Sequence, residues 1–131
     1  FLWQRQHWRS IVIAYRTSPF FEFYEDDLYP IFHTEYQSLL ELNKATMDCI
    51  FEMLDVDIEY TETEVYQAEY SDDSDYRFLA NAKRKNRINI PEYRQVFAEE
   101  HGFTPHLTVL DLIFNLGPEA LPYLQNLELK F

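Results

Sequence analysis

The one cluster of cations in the chain is AKRKNR, residues 82 to 87, and it is the segment best suited to hold a phosphate. Arg84 and Arg87 are its candidate ligand-binding residues, and a nucleotide sugar is the kind of phosphate carrier they would suit. No glycine-rich loop backs that role. Such a run serves equally well as a solvated surface that neutralises the acidic stretch SDDSD beside it. Asp72, Asp73 and Asp75 in that stretch lack the central Gly and the spaced Glu of a calcium loop. Glu22, Glu25, Asp26 and Asp27 could hold an acid/base pair, but a chain this acidic places carboxylates together by chance. His7, His33, His101 and His106 do not make a metal set. The one close pair, His101 and His106, is five residues apart, and a helical metal pair prefers three or four. No metal and no cofactor is expected. No Ser, Cys or His arrangement signals a nucleophile, and Cys49 lies inside a helix stripe and reads as core.

A second candidate lies in VLDLIFNL, residues 109 to 116. At 100° per residue, Thr108, Asp111 and Asn115 fall within about 60° of one another on a helical wheel. They form one polar seam on a helix whose other faces carry Val109, Leu110, Ile113, Phe114 and Leu116. Two roles fit the seam. Thr108 and Asp111 can cap the helix start while Asn115 bonds backbone near Gly117 and Pro118. Alternatively Asp111 and Asn115, with Tyr15, face a ligand. The cluster SPFFEFYE offers aromatic faces for a sugar ring, yet Phe20, Phe21, Phe23 and Tyr24 cannot share one side of a helix, so several must pack inside.

The elements that must position these residues are mostly helices. Two glycines among 131 residues disfavour a turn-rich β fold, and eleven Phe with ten Tyr supply a heavy core. Residues 4–16 carry Trp8, Ile11, Val12 and Tyr15 at helical spacing. Ser18 and Pro19 read as an N-cap and first turn, with a break near Asp27 ahead of Pro30. Thr34 and Gln37 have capping-box spacing for a helix reaching residue 54. Residues 56–70 change period: Val56, Ile58 and Tyr60 alternate with acids, then Tyr66, Ala68 and Tyr70, which suits a small strand pair. Ile88 to Ile90 reads as a short extended piece. Pro91 opens a further helix over PEYRQVFAEEHG, with Gly102 as its C-cap. Thr104 or Thr108 opens the next helix, Gly117 closes it and Pro118 opens the last. The fold class is mainly α (α or α+β), in a single domain over 1–131.

A formal net charge of −12 repels phosphate backbones and anionic lipid, so neither nucleic acid nor membrane is an expected partner. A lone cysteine suits a reducing compartment. Together, WRSIVIAYRTSPFFEFYEDDLYPIF and YRQVFAEEHGFTPHLTVLDLIFNLGPEAL resemble the WbqC-like family. The matching positions are Trp8 and Tyr15 in the first block. In the second they are Tyr93, Gln95 or Val96, Phe97, Thr108, Asp111, Asn115, Gly117 and Pro118, with Asp75-Tyr76-Arg77 as a short element between them. The resemblance implies a cytoplasmic bacterial protein whose relatives sit in surface-polysaccharide (O-antigen) gene clusters, acting on an activated sugar. It also implies a further N-terminal region, so that this chain reads as the C-terminal fragment of a longer protein. The alternative is a non-catalytic interaction domain that docks its aromatic face, near Trp3, Phe20 and Phe23, on that region or on a second copy in a homodimer.

Overall fold

The computed structural model describes residues 2–69, 75–80 and 88–128. Among them are three long helices, α1 (Leu2–Tyr15), α2 (Phe21–His33) and α3 (Leu39–Met53). Three shorter ones follow: α4 (Ala98–His101), α5 (Val109–Leu116) and α6 (Ala120–Gln125). The mainly helical class is therefore as expected. α2 is the centre of the arrangement, packing against α1, α3 and α5.

The core forms where apolar stripes meet. Phe21, Leu28, Ile113 and Phe114 are fully buried. The Phe114 ring lies 5.1 Å from both Phe21 and Tyr15, edge-on to the first and tilted to the second. Trp8, Ile11, Val12 and Tyr15, the stripe read from sequence, pack against this cluster from α1. Trp8 also meets Phe32 at 5.7 Å and Tyr29 at 5.5 Å, so it ties α1 to the far end of α2.

Several boundaries differ from the sequence reading, each for a local reason. Ser18 caps nothing ahead of it. Its Oγ donates backwards to the Tyr15 carbonyl at 2.6 Å, closing α1. α2 begins after Phe20, with no side-chain cap; instead the Phe20 N–H donates to the Phe114 carbonyl at 3.0 Å, fastening the α1–α2 turn to α5. Pro30 does not break α2, which runs through it. The carbonyl deprived of a donor belongs to Asp26, an exposed residue where water can serve. α3 starts at Leu39, because Ser38, not Thr34, is the cap. The Glu41 N–H donates to Ser38 Oγ at 3.1 Å, and Glu41 Oε2 accepts from the Gln37 N–H at 2.7 Å. Thr34 closes α2, its N–H reaching the Pro30 carbonyl at 3.0 Å.

The strand pair expected in 56–70 does not form among the described residues, which are irregular from 56 to 69. No face of this stretch is buried well enough to reward alternation; Ile58 is 47% and Val65 70% exposed. Its polar atoms turn to α3 instead. Tyr60 Oη donates to Asp48 at 2.9 Å, and Lys44 pairs with Glu62. Further on, Arg77 wraps the Asp75 carboxylate with its backbone and side-chain N–H groups and holds the carbonyls of Gln67 and Ala68. Those hydrogen bonds hold the Asp75 carboxyl down at about 2. Asp75 is thus half of a clasp, where the sequence suggested a free acidic loop.

Cys49 is core, as its place on the α3 stripe implied, and is 6% exposed. Burial, then Asp27 and Glu52, push its thiol up to about 11. The thiolate is the reactive form. We expect iodoacetamide to alkylate Cys49 in the folded protein at pH 8 at least about 100-fold more slowly than in urea. Equal rates, followed by mass spectrometry, would show the thiol to be accessible and its proton loosely held.

Candidate functional site

The expected helix from Pro91 is replaced by irregular backbone that becomes helical only at α4. The cause is the side chains it carries. Tyr93 and Gln95 are two apart, and in irregular extended chain they reach the same side. Both turn inward to one acceptor, Asp111, which is 4% exposed. Tyr93 Oη donates to Asp111 Oδ2 at 2.6 Å, and Gln95 Nε2 donates to the same oxygen at 3.1 Å. Gln95 also clamps Thr104, giving Nε2–H to its carbonyl and taking its N–H on Oε1, each at 2.8 Å. Ile88 to Ile90 carries no strand. Gly102, at φ +68°, ends α4 as the sequence implied.

On the other side of the carboxyl stands Asn115, one turn further along α5. Its Nδ2 donates to the Asp111 carbonyl at 2.7 Å and lies 3.4 Å from Asp111 Oδ1. Tyr15 completes the surround. Its hydroxyl is pushed above the usual tyrosine range by burial first, then by the Asp111 charge and a hydrogen bond to that carboxyl. Tyr93 is pushed up in the same way, by burial first and then by its bond to Asp111. So Asp111 is a hub that joins α5 to the 93–95 segment through neutral donors, with Tyr15 of α1 near enough to feel its charge. This corrects one sequence expectation. Thr108 does cap α5, accepting from the Leu110 N–H at 3.4 Å, but the Asp111 carboxyl serves side chains rather than helix N–H groups.

In front of the hub is a cleft of about 240 Å³. Its polar lining is Thr17 and Ser18 from the α1–α2 turn, Arg94, Gln95 and Glu99 from the segment opposite, and Asn115 from α5. Pro19, Val96 and Ala98 supply its apolar part. Asn115 is 7% exposed and lines this space. Its amide orientation follows from its partners: both groups facing Nδ2 are oxygens, so the nitrogen belongs there. Oδ1 then has no protein partner among the described residues. Among the described residues no side-chain oxygen is both enclosed and unpartnered, so Oδ1 is accessible to solvent, on a residue that lines the cleft.

Of the sequence candidates, Tyr15, Asp111 and Asn115 therefore do come together, with only Asn115 at the cleft wall. Arg84 and Arg87 lie outside the described residues. Trp8 is an α1–α2 packing residue, and Gly117 and Pro118 form the turn into α6. Gln95 carried only the family resemblance, and Tyr93 that and a place on the apolar side of the expected helix, which sets the two about 200° apart. Arg94 and Glu99 were not singled out at all. Charged residues on a presumed exposed helix give no signal of facing a cleft.

Fold and site together define a small helical domain in which a buried carboxyl hub braces one wall of a polar cleft. Residues 1–89, more than half of the chain, match the WbqC-like protein family, and the chain belongs to that family. Trp8 and Tyr15 fall inside the match; the block from Tyr93 to Pro118 lies beyond it. No curated protein and no solved structure matches the chain.

Proposed function

We propose that this chain serves surface-polysaccharide (O-antigen) biosynthesis in the bacterial cytoplasm by holding the sugar end of an activated sugar in the cleft beside Asn115. The observation that carries this reading is the Asn115 side chain, nearly buried, anchored through Nδ2, lining the cleft and keeping one acceptor, Oδ1, without a protein partner among the described residues. A free acceptor fixed on a helix costs little to preorganise and suits a ligand hydroxyl. Size narrows the reading. About 240 Å³ falls below the ~300–1,000 Å³ of drug-sized pockets, so the cleft admits one sugar ring and not a whole nucleotide sugar.

The test is a thermal-shift series with nucleotide sugars, each against its free nucleotide. We expect a rise in melting temperature with the sugar-bearing compound alone, and its loss in Asn115→Ala. A shift produced equally by the free nucleotide would place binding elsewhere. A second reading, docking on another protein surface, is favoured by Phe23, which is 72% exposed beside a groove where Met53, Pro118 and Leu121 are joined by Asp27, Glu52 and Asp55. Phe20, by contrast, is packed against Gly117 and does not belong to that surface. The same experiment separates the readings: a sugar-dependent shift survives Phe23→Ser if the cleft is the site.

A further inference from the structure

The cleft carries two opposite charges that do not satisfy each other. Arg94 and Glu99 both line it, and among the described residues neither takes part in an ion pair. Both are exposed at their outer ends, so each remains hydrated until something displaces the water. The same cleft is lined by a third group, Asn115, whose Oδ1 has no protein partner among the described residues. Of the remaining polar side chains there, the exposed Thr17 hydroxyl is open to a ligand and the others are committed. Gln95 spends both ends on Asp111 and Thr104, and Ser18 Oγ donates to the Tyr15 carbonyl. The groups left for a ligand are thus one guanidinium, one carboxylate, one amide carbonyl oxygen and the Thr17 hydroxyl, of which the two charges set the selectivity.

That set has a definite complement. A neutral polyol would leave Arg94 without an anion and Glu99 without a cation. An anionic sugar would meet Arg94 but bring like charge toward Glu99. A ligand with an anionic oxygen group and a protonated amine on one compact polar frame meets both charges and the amide oxygen. Its anion takes the planar fork of Arg94. Its ammonium has three donors and can divide them between Glu99 and Asn115 Oδ1. The small volume requires the two charges to be close together on that frame.

We infer that the cleft between Arg94, Glu99 and Asn115 recognises a small zwitterion, an ammonium together with a phosphate or carboxylate, so that the sugar held there is an amino sugar bearing an acidic group. This rests on the cleft being the ligand site proposed above. The same chemistry is also offered by a free amino acid, and the experiment separates the two sources.

Isothermal titration of the whole chain with glucosamine 6-phosphate, glucose 6-phosphate, glucosamine and alanine reads the inference directly. Glucosamine 6-phosphate should bind about tenfold or more tightly than glucose 6-phosphate or glucosamine, since each lacks one charge-assisted contact. Arg94→Gln should remove the preference for phosphate, and Glu99→Gln the preference for amine over hydroxyl; both residues are exposed, so both variants should fold. Alanine binding tightest would keep the zwitterion and identify its frame as an amino-acid backbone. Equal affinity for glucosamine 6-phosphate and glucose 6-phosphate would overturn the inference, as would unchanged preferences in the two variants or no binding of any probe. Failure here and failure of the proposed function look different. A sugar-dependent nucleotide-sugar shift with no amine dependence leaves the cleft reading standing and removes this inference. Zwitterion binding with no response to any nucleotide sugar does the reverse.

Discussion

Gly117→Ala should lower the unfolding free energy by about 2–6 kcal/mol, read as a shifted urea midpoint at unchanged slope. Two costs add. Gly117 sits at φ +54° and ψ −124°, backbone that an L side chain rarely adopts, and holding a residue there costs ~1–3 kcal/mol. In addition, a Cβ at this position would meet three atoms of the Phe20 ring at 2.5–2.6 Å. Overpacking a close contact costs a further ~1–3 kcal/mol unless the neighbour moves. Phe20 has little room to move, because its N–H is bonded to the Phe114 carbonyl on the same helix that Gly117 terminates. Gly102→Ala is the control. Gly102 has φ +68° but nothing within 4 Å of the added methyl, so only the backbone cost should appear. If the two variants lose the same stability, the Phe20 contact is soft and the α1–α2 turn is not wedged against α5.

That contact illustrates what the sequence could and could not disclose. The end of α5 was legible, because Gly followed by Pro after an apolar helix has few other uses. The ring pressed against the glycine was not, since Phe20 is far away in sequence and nothing local marks it. The same division runs through the molecule. Helix existence and type followed from periodicity for α1 and α3 and from start and stop residues for α5, while α2 was read from start signals as a helix broken near Asp27 and is continuous. Starts were misplaced where two caps competed, as with Thr34 and Ser38, and the structure chose the one followed by Glu at the third position. The alternation in 56–69 was real in the sequence, yet a strand needs a partner edge, which no local pattern supplies. The candidate site was half legible. Tyr15, Asp111 and Asn115 do converge. The cleft walls were missed because segment 91–97 reads as amphipathic helix, and only the pull of Asp111 on Tyr93 and Gln95 makes it otherwise. A buried acceptor can override helix propensity when leaving donors unmet costs more than a turn of helix returns.

Asp111→Ala puts that last point to the test, with an expected loss of about 3–5 kcal/mol. A buried donor left without its acceptor costs ~1–3 kcal/mol. The substitution strands Tyr93 Oη and removes one acceptor from Gln95. Asn115 keeps its bond to the backbone carbonyl of residue 111, so α5 itself should persist. The damage should therefore be directional. Segment 93–104 should loosen first, and amide exchange at Thr104, whose N–H rests on Gln95 Oε1, should accelerate more than exchange within α5. Asp111→Asn should cost less. It retains one acceptor oxygen for Tyr93 and Gln95, but its new amide must face Asn115 Nδ2, now 3.4 Å from Oδ1. A helix-capping role for Asp111 makes a different forecast. Asp111→Ala would then cost about 1 kcal/mol, fray the start of α5 and leave Thr104 protected. The order of exchange rates in Asp111→Ala decides between them: Thr104 ahead of α5 identifies a hub, and α5 ahead of Thr104 identifies a cap.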